Sequence, residues 1–119
     1  MLKIRDLTKK YRIKGREIKA LKNINLEVEE DSFITVVGKS GCGKSTLLRV
    51  ISGLESLSSG EIKFQSEIKT ALVFQEARLM PWLTVEENIY FPLKNKLPPE
   101  TAAEKVKEQL KLLSLTEFK

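Results

Sequence analysis

Gly38, Gly43, Lys44 and Ser45 stand at the spacing GxxxxGK[ST], inside the run Val36-Val37-Gly38-Lys39-Ser40-Gly41-Cys42-Gly43-Lys44-Ser45-Thr46. Each of these residue types has a physical task when the chemistry is the grip of a polyphosphate. The glycines allow backbone conformations that a Cβ forbids, so successive N–H groups can converge on one anion. Lys44 reaches toward the outer phosphates as a point charge, and the Ser45 hydroxyl suits a Mg²⁺ ion. A helix opening at Lys44 aims its positive dipole end at the same place. Hydrogen bonds to a charged acceptor contribute about 1.5–3 kcal/mol each, so several together hold a nucleotide polyphosphate. The bland alternative is a Gly/Ser turn that matches by chance. It is disfavoured because an apolar run precedes the loop and a helical pattern follows it, with Leu47, Val50, Ile51 and Leu54 on one face.

The elements that must position this loop follow from periodicity. Leu2 to Arg5 and Ile24 to Val28 alternate as strands with one apolar face, and Lys14-Gly15-Arg16 is a turn between them. Phe33 to Val37 is short, apolar and β-branched, which predicts a strand buried on both faces of a parallel core sheet. The helix from Lys44 is predicted to stop near Gly53, and Ser58-Ser59-Gly60 turns the chain into a strand, Glu61 to Phe64. Ala71 to Phe74 is predicted to be a second buried strand. Thr84 and Glu87 have the form of a capping box opening a short helix that Pro92 ends. A further helix is predicted from Pro98-Pro99-Glu100 through Leu113, with Ala102, Val106, Leu110 and Leu113 on one side.

Composition narrows the classes. The 119 residues amount to one domain at most, small for a complete P-loop enzyme. The 21 Lys+Arg against 16 Asp+Glu give a net charge of +5, which suits anionic partners without specifying one. The lysines are scattered and not interleaved with aromatics, so nucleic acid is not an expected partner. The lone cysteine, Cys42, cannot form an internal disulfide. It sits beside the expected helix N-terminus and Lys44, surroundings that favour a thiolate, although a small inert filler is the alternative. No apolar stretch approaches the roughly 20 residues needed to cross a bilayer, and no leader is seen, so a cytoplasmic chain is expected.

Three further stretches make a family visible. Upstream of the loop stand Tyr11 and Ala20-Leu21-Lys22-Asn23-Ile24-Asn25-Leu26. Downstream, Leu47-Leu48-Arg49-Val50-Ile51-Ser52-Gly53-Leu54 leads to Ser59-Gly60-Glu61-Ile62, and then Leu72-Val73-Phe74-Gln75-Glu76 leads to Met80-Pro81-Trp82-Leu83-Thr84. Together with the loop these resemble the N-terminal half of the ATP-binding subunit of ABC transporters, in particular importers of the nitrate, sulfonate and taurine group. The resemblance implies an α/β fold, a P-loop NTPase-type ABC ATPase lobe. It would have an N-terminal antiparallel β-subdomain at 1–32, a partial core sheet with helices at 33–75, and the start of a helical subdomain at 76–119.

The same resemblance assigns roles. Gly38, Ser40, Gly41, Cys42, Gly43, Lys44, Ser45 and Thr46 would hold ATP, with Mg²⁺ at Ser45 and Gln75. Gln75 matches the Q-loop glutamine that senses Mg²⁺ or the attacking water. Tyr11 matches the aromatic that stacks on adenine, unless it is simply a packed strand tyrosine. Met80, Pro81, Trp82 and Leu83 match the tip that meets a cytoplasmic helix of the permease, unless Trp82 is buried in this chain. A second ATP-binding subunit and a place at the inner face of the cell membrane are also implied. Two departures, Asp31-Ser32 for the family's usual Gly-Glu and Lys39 for a frequent proline, leave the phosphate-binding positions intact.

The family's remaining machinery is a segment resembling LSGGQ, an apolar strand ending in Asp-Glu, and a switch histidine. These residues contain none of the three, and no histidine at all. The expectation is therefore a truncated half-domain that binds nucleotide, hydrolyses it negligibly and self-associates through open strand edges. Two other classes compete. A small P-loop phosphotransferase would need an arginine-rich lid, but Arg78 is the only arginine beyond Arg49. A basic docking module would use the net positive charge alone.

Overall fold

The computed structural model describes residues 1–118 and divides into two units, Met1–Val73 and Phe74–Lys119. In the first unit, β1 (Leu2–Ile13) and β2 (Arg16–Val28) form a long antiparallel hairpin. Lys14 and Gly15 both take positive φ, 48° and 76°, the turn whose twist matches that of the flanking strands. A third strand, β3 (Ser59–Phe64), lies antiparallel on the other side of β1 and gives the order β2-β1-β3.

The helix α1 (Lys44–Ile51) lays Leu47 and Val50 on this sheet, where they join Ile4, Leu7 and Leu21 in one buried cluster. Ile24, Leu26, Ile51, Leu57 and Ile62 surround it. Thr8 is the buried polar residue of this unit, and its Oγ1 donates to Asn23 Oδ1 and accepts from the Asn23 amide, each at 3.2 Å. α1 ends as expected before Gly53, but Leu54 lies beyond the cap and stands exposed instead of extending the apolar face.

Two expectations are corrected. Phe33 to Val37 and Ala71 to Phe74 are not strands, and Phe33, Val37 and Val73 are 94%, 84% and 95% exposed. A strand exists only as part of a ladder, and among the described residues nothing pairs with either run. The partial core sheet is therefore not formed here. β3 also falls within 33–75, the stretch expected to serve the core, yet it completes the antiparallel sheet that begins at 1–32.

The second unit is helical. α2 (Val85–Tyr90) runs into a single 3₁₀ turn, Phe91–Leu93, which contains Pro92. α3 (Pro99–Leu112) packs on α2 and buries Ala102, Val106 and Leu110. Leu113 falls at the C-cap and is exposed, so the apolar stripe ends one turn earlier than the sequence pattern predicts. No helix among the described residues is long and apolar enough to cross a membrane.

Candidate functional site

The loop between the first unit's hairpin and α1 is built around one glycine. Gly43, the N-cap of α1, has φ 102°, and a Cβ placed on it would meet the Ala20 carbonyl oxygen at 2.5 Å and Leu21 Cδ2 at 3.1 Å. Only glycine lets the helix begin this close to β2. The first helical hydrogen bond runs from the Leu47 amide to the Gly43 carbonyl at 2.9 Å, and no side chain caps the amides before it. The first turn holds no acidic residue, so the helix dipole is left uncompensated by the chain itself.

Lys44 folds back over the loop that precedes it. Its Nζ donates to the carbonyls of Gly38 at 2.7 Å and Lys39 at 2.8 Å, and lies 3.6 Å from Cys42 Sγ. The ammonium thus sits on the concave side of the loop's own backbone. Residues 38–42 are exposed throughout, while Gly43, Lys44 and Thr46 are half-buried and Ser45 is open. This region can take up an anion by exchanging the two neutral carbonyl acceptors of Lys44 for charged oxygens, which make shorter and stronger bonds. The described residues contain no cluster of three or more His, Cys, Asp or Glu side chains that could hold a metal.

Tyr11 stands half-buried on β1 within reach of Thr46. Its hydroxyl donates to the Glu55 carboxylate, which holds the phenol above the usual tyrosine range; burial adds to the rise and the Thr46 hydroxyl opposes it. The fold thus brings together Tyr11 and the 38–46 loop. Gln75 stands exposed at a bend in the second unit.

In that unit Trp82 is 75% exposed and Pro81 is exposed, while Met80 and Leu83 are half-buried. The open alternative for Trp82 is resolved in favour of exposure within its own unit. The tip is held by Asn88, whose Oδ1 accepts from the Met80 amide at 2.8 Å. Its Nδ2 donates to the carbonyls of Met80 at 3.2 Å, Leu83 at 3.1 Å and Thr84 at 2.9 Å. Sequence reasoning singled out neither Asn88 nor Glu55. An asparagine in the first turns of a capped helix is a signal for the former, because its amide can bond backbone outside the helix.

The geometry is that of a glycine-rich loop at the head of a helix laid on an antiparallel sheet. The sequence model of the family described as ABC transporter matches residues 21–119, and the chain belongs to that family. It is 44% identical to an uncharacterized ABC transporter ATP-binding protein of Methanocaldococcus jannaschii, over 98% of this chain and 46% of that protein. It is 42% identical to the aliphatic sulfonates import ATP-binding protein SsuB of Bacillus cereus, over 97% of this chain and 47% of that protein. The chain spans about half the length of these curated relatives. Among solved structures it resembles an ATP-binding cassette in a dimeric post-hydrolysis state bound to ADP and Pi. The TM-score there is 0.79 and the identity 32%, over 99% of this chain and 60% of that one. The fold is therefore that of part of an ABC ATPase cassette.

Proposed function

We propose that this chain is the nucleotide-gripping part of an energy-coupling ATP-binding subunit of an ABC importer, and that it binds MgATP through residues 38–46. The observation that carries this reading is the uncapped, acid-free first turn of α1 behind a glycine-rich loop with Lys44 over it. The backbone amides and Lys44 take the phosphates, the Ser45 hydroxyl takes Mg²⁺, and Thr46 supports the inner phosphates. Tyr11, beside Thr46, offers its ring to the adenine. Mg²⁺ supplies charge neutralisation of the phosphates when bound. By the family resemblance Gln75, in the second unit, is proposed as the Q-loop glutamine.

The importer reading is supported by the likeness to a sulfonate import protein. The exposed Trp82, held on a loop pinned by Asn88, is an aromatic anchor suited to a permease helix at the inner face of the membrane. The dimeric state of the similar cassette supports pairing with a second ATP-binding subunit. These 119 residues contain no histidine and no Asp-Glu pair closing an apolar strand. Positioning of an attacking water is therefore not assigned to them, and binding without appreciable hydrolysis is proposed for the chain alone.

Calorimetry with MgATP, MgADP and single-stranded DNA tests the assignment. Binding of both nucleotides, lost in Lys44→Ala, is expected. Tight, salt-sensitive DNA binding without nucleotide binding would replace it with a basic docking module.

A further inference from the structure

Tyr11 and Glu55 are 44 positions apart in sequence, and the fold joins them by a hydrogen bond from phenol to carboxylate. Glu55 lies on the turn after α1, where its side chain is 23% exposed and clamped by two cations. Its Oε1 is 3.7 Å from Arg49 Nη1 and its Oε2 is 3.8 Å from Lys9 Nζ. Lys9 is itself fixed, because its ammonium donates to the Ser56 carbonyl at 2.6 Å. The same ammonium lies 5.1 Å from the centroid of the Tyr11 ring, over one of its faces.

These contacts fix more than a hydrogen bond. A half-buried tyrosine on a strand ordinarily samples several ring orientations, and a ligand that stacks on it must bear the cost of freezing one. Here the hydroxyl is tethered at one end of the ring and a cation lies over one face, so a flat partner would stack on the other. We propose that Glu55 is a positioning residue for base recognition, holding the Tyr11 ring in the orientation that stacks on adenine. The proposal rests on the reading that MgATP binds at 38–46 with its base on Tyr11. Lys9 and Arg49 serve it by keeping the Glu55 carboxylate in place.

Partial loss of a stacking alignment is expected to weaken affinity by roughly three- to tenfold. The test is calorimetry on the full chain with two probes, MgATP and Mg-tripolyphosphate, which shares the phosphates and lacks the base. Y11F keeps the ring and removes the tether; E55A removes the acceptor; E55Q keeps an acceptor oxygen. Y11F and E55A are each expected to weaken MgATP by that factor and leave Mg-tripolyphosphate unchanged. Their double variant should lose no more than either alone, and E55Q should lose less than E55A.

Two results would overturn the proposal without removing base stacking at Tyr11. One is MgATP affinity unchanged in both Y11F and E55A while Y11A weakens it, which retains the stacking and removes Glu55 from it. The other is a parallel fall in Mg-tripolyphosphate affinity, which would make Glu55 a support of the loop's fold. An unchanged MgATP affinity in Y11A would instead remove the base-stacking reading itself, and the proposal with it.

Discussion

Two helix N-termini in this molecule are finished in opposite ways. At α2 the chain satisfies its own donors: Thr84 Oγ1 accepts from the Glu87 amide at 3.2 Å, and Glu87 Oε2 accepts from the Thr84 amide at 2.8 Å. Glu86 and Glu87 in the first turn oppose the helix dipole as well. At α1 the N-cap is a glycine without a side chain to offer, and no acid is present in the first turn. No side-chain cap can stand at position 43, because a Cβ there would meet the Ala20 carbonyl oxygen at 2.5 Å. The first turn of α1 is thus left open beside the glycine-rich loop, while α2 closes its own first turn. Open donors at one end and closed donors at the other separate a site from a scaffold.

The largest effect that sharpens this contrast is expected from Lys44→Ala. It removes charge-assisted bonds of about 1.5–3 kcal/mol each, so MgATP affinity should fall by roughly a hundredfold or more in calorimetry. Circular dichroism should show the fold retained, because the partners of Lys44 Nζ, the Gly38 and Lys39 carbonyls and Cys42 Sγ, all lie in the exposed loop. Gly43→Ala comes next. It sets a Cβ against the Ala20 carbonyl and forces alanine to φ 102°, at a cost of about 1–3 kcal/mol. A lowered thermal midpoint and weakened nucleotide binding should appear together.

Thr84→Ala breaks the contrast from the other side. Loss of the cap should destabilise α2 by about 1 kcal/mol, read as faster hydrogen exchange at Glu87, with MgATP affinity unchanged. The smallest effect concerns Tyr11. Its phenol is held above the usual tyrosine value because the Glu55 carboxylate accepts its hydrogen bond. The stabilisation from that bond is therefore present below pH 10 and is lost as pH rises through the raised value. The difference in ultraviolet titration between the wild type and Y11F should place the Tyr11 midpoint above the ordinary tyrosine value.

Much of the site was legible because it is local. The loop spacing, the Thr84 and Glu87 box and the Lys14-Gly15 turn each lie within a few residues, and each reports its own geometry. The strands were legible only in pieces. Asp6 and Asn23 take φ of 47° beside register shifts in the hairpin, and such irregularities break the alternation that marks a strand. Only Leu2 to Arg5 and Ile24 to Val28 therefore showed in a hairpin whose strands hold 12 and 13 residues. Phe33 to Val37 and Ala71 to Phe74 have strand composition, but composition cannot supply the neighbour a ladder requires. The Tyr11 to Glu55 bond joins positions 44 residues apart, and no local pattern announces it.

The two helix ends can be read in one experiment, an amide nuclear magnetic resonance titration of the chain with MgATP. The account predicts saturable shifts at Gly41, Gly43, Lys44, Ser45 and Thr46, with Val85, Glu86 and Glu87 unmoved. Saturable shifts at the α2 amides with the α1 amides unmoved, or no shifts at either end, would contradict it.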